Sequence, residues 1–207
     1  MLVIYIILIT VGVSLWALAR RDLFYRLALS YHEIVERRQL YRLLSHMLVH
    51  GGWMHLLINM YVFYSFGGIL YQRLQYFYEM ETIAFPKLQF LFLYFGGGIT
   101  AGLFSLLLQK NRNTVSVGAS GGVSALVFAE IFFDPWARLY LFGLIPLSGI
   151  IVGVAYLAYS WYMARRGVDN IDHNAHFFGA LYGFVYPVVA IDPQLMRGFV
   201  HQLLSFS

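Results

Sequence analysis

Six long stretches of this chain carry no charged side chain, and that feature leaves few folds open to it. The spans drawn from them are about 1–19, 51–72, 88–109, 115–133, 139–164 and 173–191. The first holds nineteen residues, Met1 to Ala19, enough for a helix rising about 1.5 Å per residue to cross a hydrocarbon layer of about 30 Å. Hydrocarbon offers no partner to a bare backbone amide, so a chain that crosses it must close its hydrogen bonds within helices or a closed barrel. These runs are too long and continuous for tilted barrel strands, which leaves helices. With 60% hydrophobic and 12% charged residues, the chain reads as an all-α, multi-pass integral membrane protein with six transmembrane helices.

Pro86 with Lys87, the patch from Lys110 to Arg112, Asp134-Pro135 and Arg165-Arg166-Gly167 separate the runs. None of these separators is long or low enough in complexity to act as an interdomain linker, so a single membrane domain over 1–207 is expected. Residues 20–45 differ from the separators. Their arginines and glutamates alternate with leucine, phenylalanine and tyrosine, the pattern of a folded, interfacial first loop. A cleaved leader is the competing reading of the first run. That run lacks a basic flank and exceeds a usual leader core, so a retained helix is expected. The absence of cysteine excludes disulfides, a thiol nucleophile and thiolate metal ligands. The net charge of +4 comes with no Lys/Arg cluster clear of the apolar runs, so its expected partner is anionic lipid, not nucleic acid.

Polar groups inside apolar runs are costly, which makes them informative. His55 and Asn59 are four apart and share one helix face; His46 and His50 repeat that spacing just before Gly51-Gly52, where the chain turns into the bilayer. A lone histidine or asparagine in a span usually ties helices together. The set points elsewhere, because Ser120 lies between Gly118 and Gly121 and His176 opens the last run: an alcohol and an imidazole are the parts of a nucleophile and its base. Glu130 stands ten residues beyond Ser120, about 15 Å along a helix axis, and cannot orient a base that reaches Ser120. Asp172, four residues before His176, opens its span, and capping is its favoured role. A two-member Ser/His dyad is therefore expected. Gly179 and Gly183 lie on the stripe of His176, and Ser120, Gly121, Ser124 and Ala125 form a matching small face, so the two helices can approach closely. His46, His50, His55, His173 and His176 could also serve as metal ligands. No glutamate completes a His-Glu-x-x-His pattern among them, and neither metal nor cofactor is expected.

At this point the residues resemble the rhomboid family of intramembrane serine proteases. The resemblance rests on His50-Gly-Gly-Trp-Met-His55-Leu-Leu-Ile-Asn59, on Gly118-Ala-Ser120-Gly, and on Ala175-His176-Phe-Phe-Gly179, in that order on the second, fourth and sixth spans, with Tyr41-Arg42 before them. It implies that Ser120 is the nucleophile and His176 the general base and acid. It also implies that His55, Asn59 and the Ser120 backbone N–H bind the oxyanion, with His50 and Gly118 supporting the site. Two departures stand out. Members often carry an aromatic four residues after the serine to stack on the catalytic histidine; here that position is Ser124, so either another group, such as a Phe or Tyr from another helix, braces His176 or the dyad is looser. Members also often follow Phe-Gly at the end of the second span with a glutamate, where Phe66-Gly67 here leads to Tyr71.

The implied substrates are transmembrane proteins, cut in or beside a span whose helix has partly unwound, since an intact helix hides its carbonyls. A noncatalytic adaptor that binds client helices and a histidine-based metal or proton transporter are the alternatives. Ten of the fourteen basic residues, Arg20, Arg21, Arg26, Arg37, Arg38, Arg42, Lys110, Arg112, Arg165 and Arg166, fall on the side of the first, third and fifth loops. By the positive-inside rule that side is cytoplasmic. The resemblance implies the reverse, in a plasma or inner membrane with the active site facing away from the cytoplasm, and this orientation is expected because six of the ten charges sit in the folded first loop.

Overall fold

In the computed structural model, which describes residues 1–108, 115–141, 144–167, 169 and 171–205, the chain is mostly helical. Helix α1 (Leu2–Ala19) is followed by a compact first loop made of α2 (Arg21–Leu27), β1 (Leu29–Ser30), α3 (Tyr31–Val35), α4 (Arg42–Ser45) and a 3-10 turn (His46–Leu48). Then come α5 (Trp53–Glu79), α6 (Pro86–Leu108), β2 (Val115–Ser116), α7 (Ser120–Phe133), the hairpin β3 (Arg138–Leu141) and β4 (Ile145–Ser148), and α8 (Gly149–Arg166). Helix α9 (His173–Tyr186) continues through a π-turn (Pro187–Ile191), and α10 (Leu195–Leu204) closes the order.

Among the described residues four segments are long and apolar enough to cross a membrane: α1, α5, α6 and α9 with its π-turn. The fourth and fifth expected spans differ from their drawn bounds. The helix expected over 115–133 begins at Ser120, because Val115–Ser116 pairs with Leu29–Ser30 as a strand and Gly118 takes φ +122°, a value that ends any helix. At fourteen residues, α7 is about 21 Å long. It needs no more, because nearly all its side chains are buried against protein, and irregular backbone is tolerated at membrane depth where protein surrounds it. The run expected as a helix over 139–164 opens instead as the β3–β4 hairpin, in which Tyr140 lies opposite Pro146. Proline has no N–H for a helix and its ring clashes with the preceding turn, so α8 starts only at Gly149 and ends on Arg165 and Arg166. Pro86, read as a separator, is the first residue of α6, where a missing N–H costs nothing. Lys110 and Arg112 lie outside the described residues.

Arg42 is the centre of the first loop. It is 5% exposed, and its guanidinium donates to the carbonyls of Tyr25 and Ala28 at 2.6 and 2.7 Å and to Gln39 at 2.8 Å, with Glu33 at 3.6 Å. A buried charge is tolerated only when its donors are matched in this way. Ser45 adds a bond to the Leu27 carbonyl at 2.9 Å. The loop is folded, as its alternating pattern predicts.

Helix α7 runs through the middle of the molecule, and its tightest neighbour is α9. A Cβ placed on Gly179 would overlap the backbone of Gly121, and one on Gly183 would overlap that of Ala125. Glycine is required at both places by contact alone. On its other sides α7 meets a cluster of large side chains that includes Phe63, Phe90, Tyr94 and Met47, all fully buried. Near its far end Glu130 forms a two-toothed ion pair with Arg73 of α5, whose guanidinium also lies over the ring of Phe133 at 5.3 Å. Helix α10 docks through Phe199, stacked on Phe132 at 5.0 Å.

Replacing Gly183 with valine should force α7 and α9 apart and destabilise the protein by about 3 kcal/mol, the upper end of the usual cost of overpacking. Gly68→Ala, at a position with nothing within 4 Å, should be neutral or stabilising by up to about 1 kcal/mol. Thermal unfolding in detergent compares the two.

Candidate active site

The site residues converge on the turn that leads into α7. Gly118 adopts a backbone conformation that a side chain would strain, and its N–H donates to the His46 carbonyl at 2.9 Å. A Cβ there would also lie 2.7 Å from the ring of His55. Glycine thus serves two needs at once: it permits the turn and lets an imidazole come against the backbone just before Ser120.

Three histidines are held around this turn, and their partners set which nitrogen carries the proton. His50 is fully buried. Its Nε2 accepts from the Ala119 N–H at 3.3 Å, so in the neutral ring Nδ1 bears the hydrogen and donates to Ser14 Oγ at 2.8 Å. Ser14 passes its own proton to the Leu48 carbonyl, also at 2.8 Å. This relay ties α1 to the residue beside Ser120. Burial pushes the pKa of His50, which precedes α5, down to about 3, in keeping with an acceptor nitrogen that must stay unprotonated. His46 donates from Nδ1 to the Arg42 carbonyl at 3.0 Å, and burial lowers its pKa too.

His55 lies on α5, its ring 5.0 Å from that of His50 and nearly perpendicular to it. The Gly51 N–H points at its Nδ1 from 3.4 Å. That leaves Nε2 as the N–H position in the neutral ring, on the side that faces Gly118. Asn59, one turn on, spends one amide hydrogen on the His55 carbonyl at 2.8 Å and keeps the other.

Asp172 begins α9 as its cap, accepting from the Ala175 N–H at 3.0 Å. Its second oxygen accepts from Ser116 at 2.6 Å and from Ser105 of α6. One carboxylate so fixes the start of α9 to α6 and β2, which is the capping role the sequence favours. His173 is held by Asp169 at 3.1 Å and meets the ring of His176 edge-on, with centroids 5.9 Å apart.

The first turns of α7 and α9 meet beside Ser120 and His176: a Cβ on Gly121 would sit 3.6 Å from the carbonyl oxygen of Ala175. Both residues are neither fully buried nor fully exposed. The structure gathers His50, His55 and Gly118 at one turn, sets Asn59 one turn along the same helix, and brings the neighbours of Ser120 and His176 into contact. Of the two alternatives left by Ser124, the structure offers a ring: Tyr156 of α8 stacks on His176 with centroids 6.0 Å apart and planes 22° apart. Ser14 was not foreseen. The one hint in the sequence is that Thr10 and Ser14 repeat at four residues within an otherwise apolar run.

Residues 37–193 match the Rhomboid domain family model. Among curated proteins, the chain is 33% identical over 168 residues to RHOMBOID-like protein 4 of Arabidopsis thaliana, covering 76% of this chain and 36% of that one. It is 28% identical to Rhomboid-like protease 5 of Toxoplasma gondii, covering 79% of this chain and 18% of the relative. It is 27% identical to the putative rhomboid protease YdcA of Bacillus subtilis, with 81% and 75% covered. The chain therefore spans a third or less, or little more than a third, of several relatives it matches. With the family's domain matched across three quarters of its length and apolar helices fit to cross a bilayer, this multi-pass membrane protein belongs to the rhomboid family, whose members are generally intramembrane serine proteases.

Proposed function

We propose that the chain is an intramembrane serine endopeptidase acting through a dyad of Ser120 and His176. The observation that carries this reading is the backbone contact of α7 with α9, which joins the two motif-bearing turns at Gly121 and Ala175. In the first step Ser120 Oγ attacks the carbonyl carbon of the scissile peptide while His176 takes the hydroxyl proton. The oxyanion is met by the His55 Nε2–H, the free amide hydrogen of Asn59 and the Ser120 backbone N–H. The C–N bond then breaks, His176 returns the proton to the leaving amine, and water repeats the sequence to free the acyl group. His50 holds the Ala119 amide and so fixes the turn that carries the nucleophile. Gly118 lets His55 lie against that turn.

The same reading makes α7 and α8 the fourth and fifth of six spans, with the folded first loop at the membrane interface and one domain over the whole chain. The substrates are membrane proteins with a span that unwinds near the cut. Both termini face the cytoplasm and the site opens on the opposite side. The charge asymmetry of the first loop is weaker evidence against this than its count, because three of its six arginines have local work: Arg42 is buried on carbonyls, Arg37 pairs with Glu33 at 3.2 Å and Arg20 with Asp22 at 3.3 Å.

Purified protein incubated with a labelled transmembrane substrate should cleave it and react with a fluorophosphonate probe. Ser120→Ala and His176→Ala should abolish both. His55→Ala should lower kcat about 100-fold with KM little changed, the usual cost of one oxyanion donor. Cleavage that persists in Ser120→Ala overturns the assignment, and capture of the helix without probe labelling makes the protein an adaptor. In sealed inverted vesicles, tags on both termini should be open to added protease.

A further inference from the structure

Ser124 follows Ser120 by one helical turn and is too short to stack on anything. Its hydroxyl lies 2.7 Å from the hydroxyl of Tyr156, which belongs to α8. The Tyr156 ring stacks on His176, and Phe128, one turn beyond Ser124 on α7, flanks it at 5.7 Å. One side chain from α8 thus sits between the helix of the nucleophile and the ring of its base. A bulky residue at 124 would occupy the space of the Tyr156 hydroxyl, so the small residue on α7 and the tyrosine on α8 require each other.

The rest of α8 is arranged to deliver that ring. Gly149 and Gly153 rest against Ile131 and Phe128 of α7, and Tyr159 meets His173 edge-on at 5.6 Å. Residues 149, 153, 156 and 159 fall on one stripe of the helix. The other side of α8 is bare, with Ile151, Val154, Trp161 and Tyr162 exposed. No carboxylate contacts the His176 ring among the described hydrogen bonds and ion pairs; Asp172 caps α9 and Asp169 holds His173. A base whose ring no carboxylate holds by a hydrogen bond depends on packing for its orientation, and an offset stack with centroids between about 4.5 and 7 Å supplies it.

We propose that Tyr156 is a positioning residue which braces His176 from α8, with Ser124 locking its hydroxyl. This rests on the dyad reading above. Three variants test it in the full chain: Tyr156→Leu keeps most of the volume without a flat ring, Tyr156→Phe keeps the ring without the hydroxyl, and Ser124→Ala removes only the lock. Tyr156→Leu should lower kcat and the rate of fluorophosphonate labelling of Ser120 together, on the order of 10- to 100-fold, the scale of a misplaced catalytic group, with KM nearly unchanged. Tyr156→Phe should restore both to within about threefold of wild type, and Ser124→Ala should behave like Tyr156→Phe, because a hydroxyl pair is worth little beside a lost stack. Adding Ser124→Tyr to Tyr156→Leu should recover activity by bracing His176 from α7. Wild-type kcat and labelling in Tyr156→Leu, or a loss in KM alone, overturn the proposal while leaving the dyad standing. Equal losses in the leucine and phenylalanine variants overturn it as well, since the ring would then not be what matters. Cleavage by Ser120→Ala, run in the same series, would instead remove the dyad itself.

Discussion

The contact that everything else depends on is backbone against backbone, where Gly179 and Gly183 of α9 let Gly121 and Ala125 of α7 come within van der Waals reach. Within a bilayer there is little hydrophobic gain in pressing one apolar helix against another, because lipid tails are as apolar as leucine; packing at close range and interhelical hydrogen bonds carry the association. Small residues are therefore the means by which these helices hold each other. The same closeness brings two short polar turns together at one end of the interface.

Both ends of α7 are then secured by polar groups that could not be left alone in a dry interior. At the start, the Ala119 amide is taken by His50, whose other nitrogen is taken by Ser14, whose proton goes to Leu48. At the far end Glu130 is neutralised by Arg73. An unpaired charge there would be strongly destabilising, whereas the matched pair can be close to neutral in stability. What such pairs add is register: each has a single good geometry and so fixes how far α7 slides along α5 and α1. A short central helix held at two points gives the Ser120 turn little freedom, which is what the proposed nucleophile would need.

Around this fixed core the contacts made by α8 are fewer and depend on aromatic rings. Its tyrosines reach His176 and His173, while much of its outer surface faces away from protein. The molecule thus separates a closely packed part, α5, α6, α7 and α9 around the turn, from a helix that lies on it.

Much of this was legible in the order of residues. Charge-free length required membrane helices, because backbone amides have no partner in lipid. The spacings of His55 with Asn59 and of Gly179 with Gly183 placed each pair on one face before any coordinates. Asp172 announced a cap. Other features were not legible, because they depend on partners far away in the chain. A charge-free run cannot tell a buried helix from a hairpin, so residues 139–148 read as membrane span until Pro146 is seen facing Tyr140. That Ser14 reaches His50, that Arg73 finds Glu130 and that Tyr156 covers His176 depends on how helices rotate and shift against one another. Sequence determined the kinds of groups available, their faces and the need to bury them. Tertiary structure alone decided which group meets which, because local spacing is set by the 3.6-residue turn whereas a contact between distant helices is set by the shape of everything packed between them.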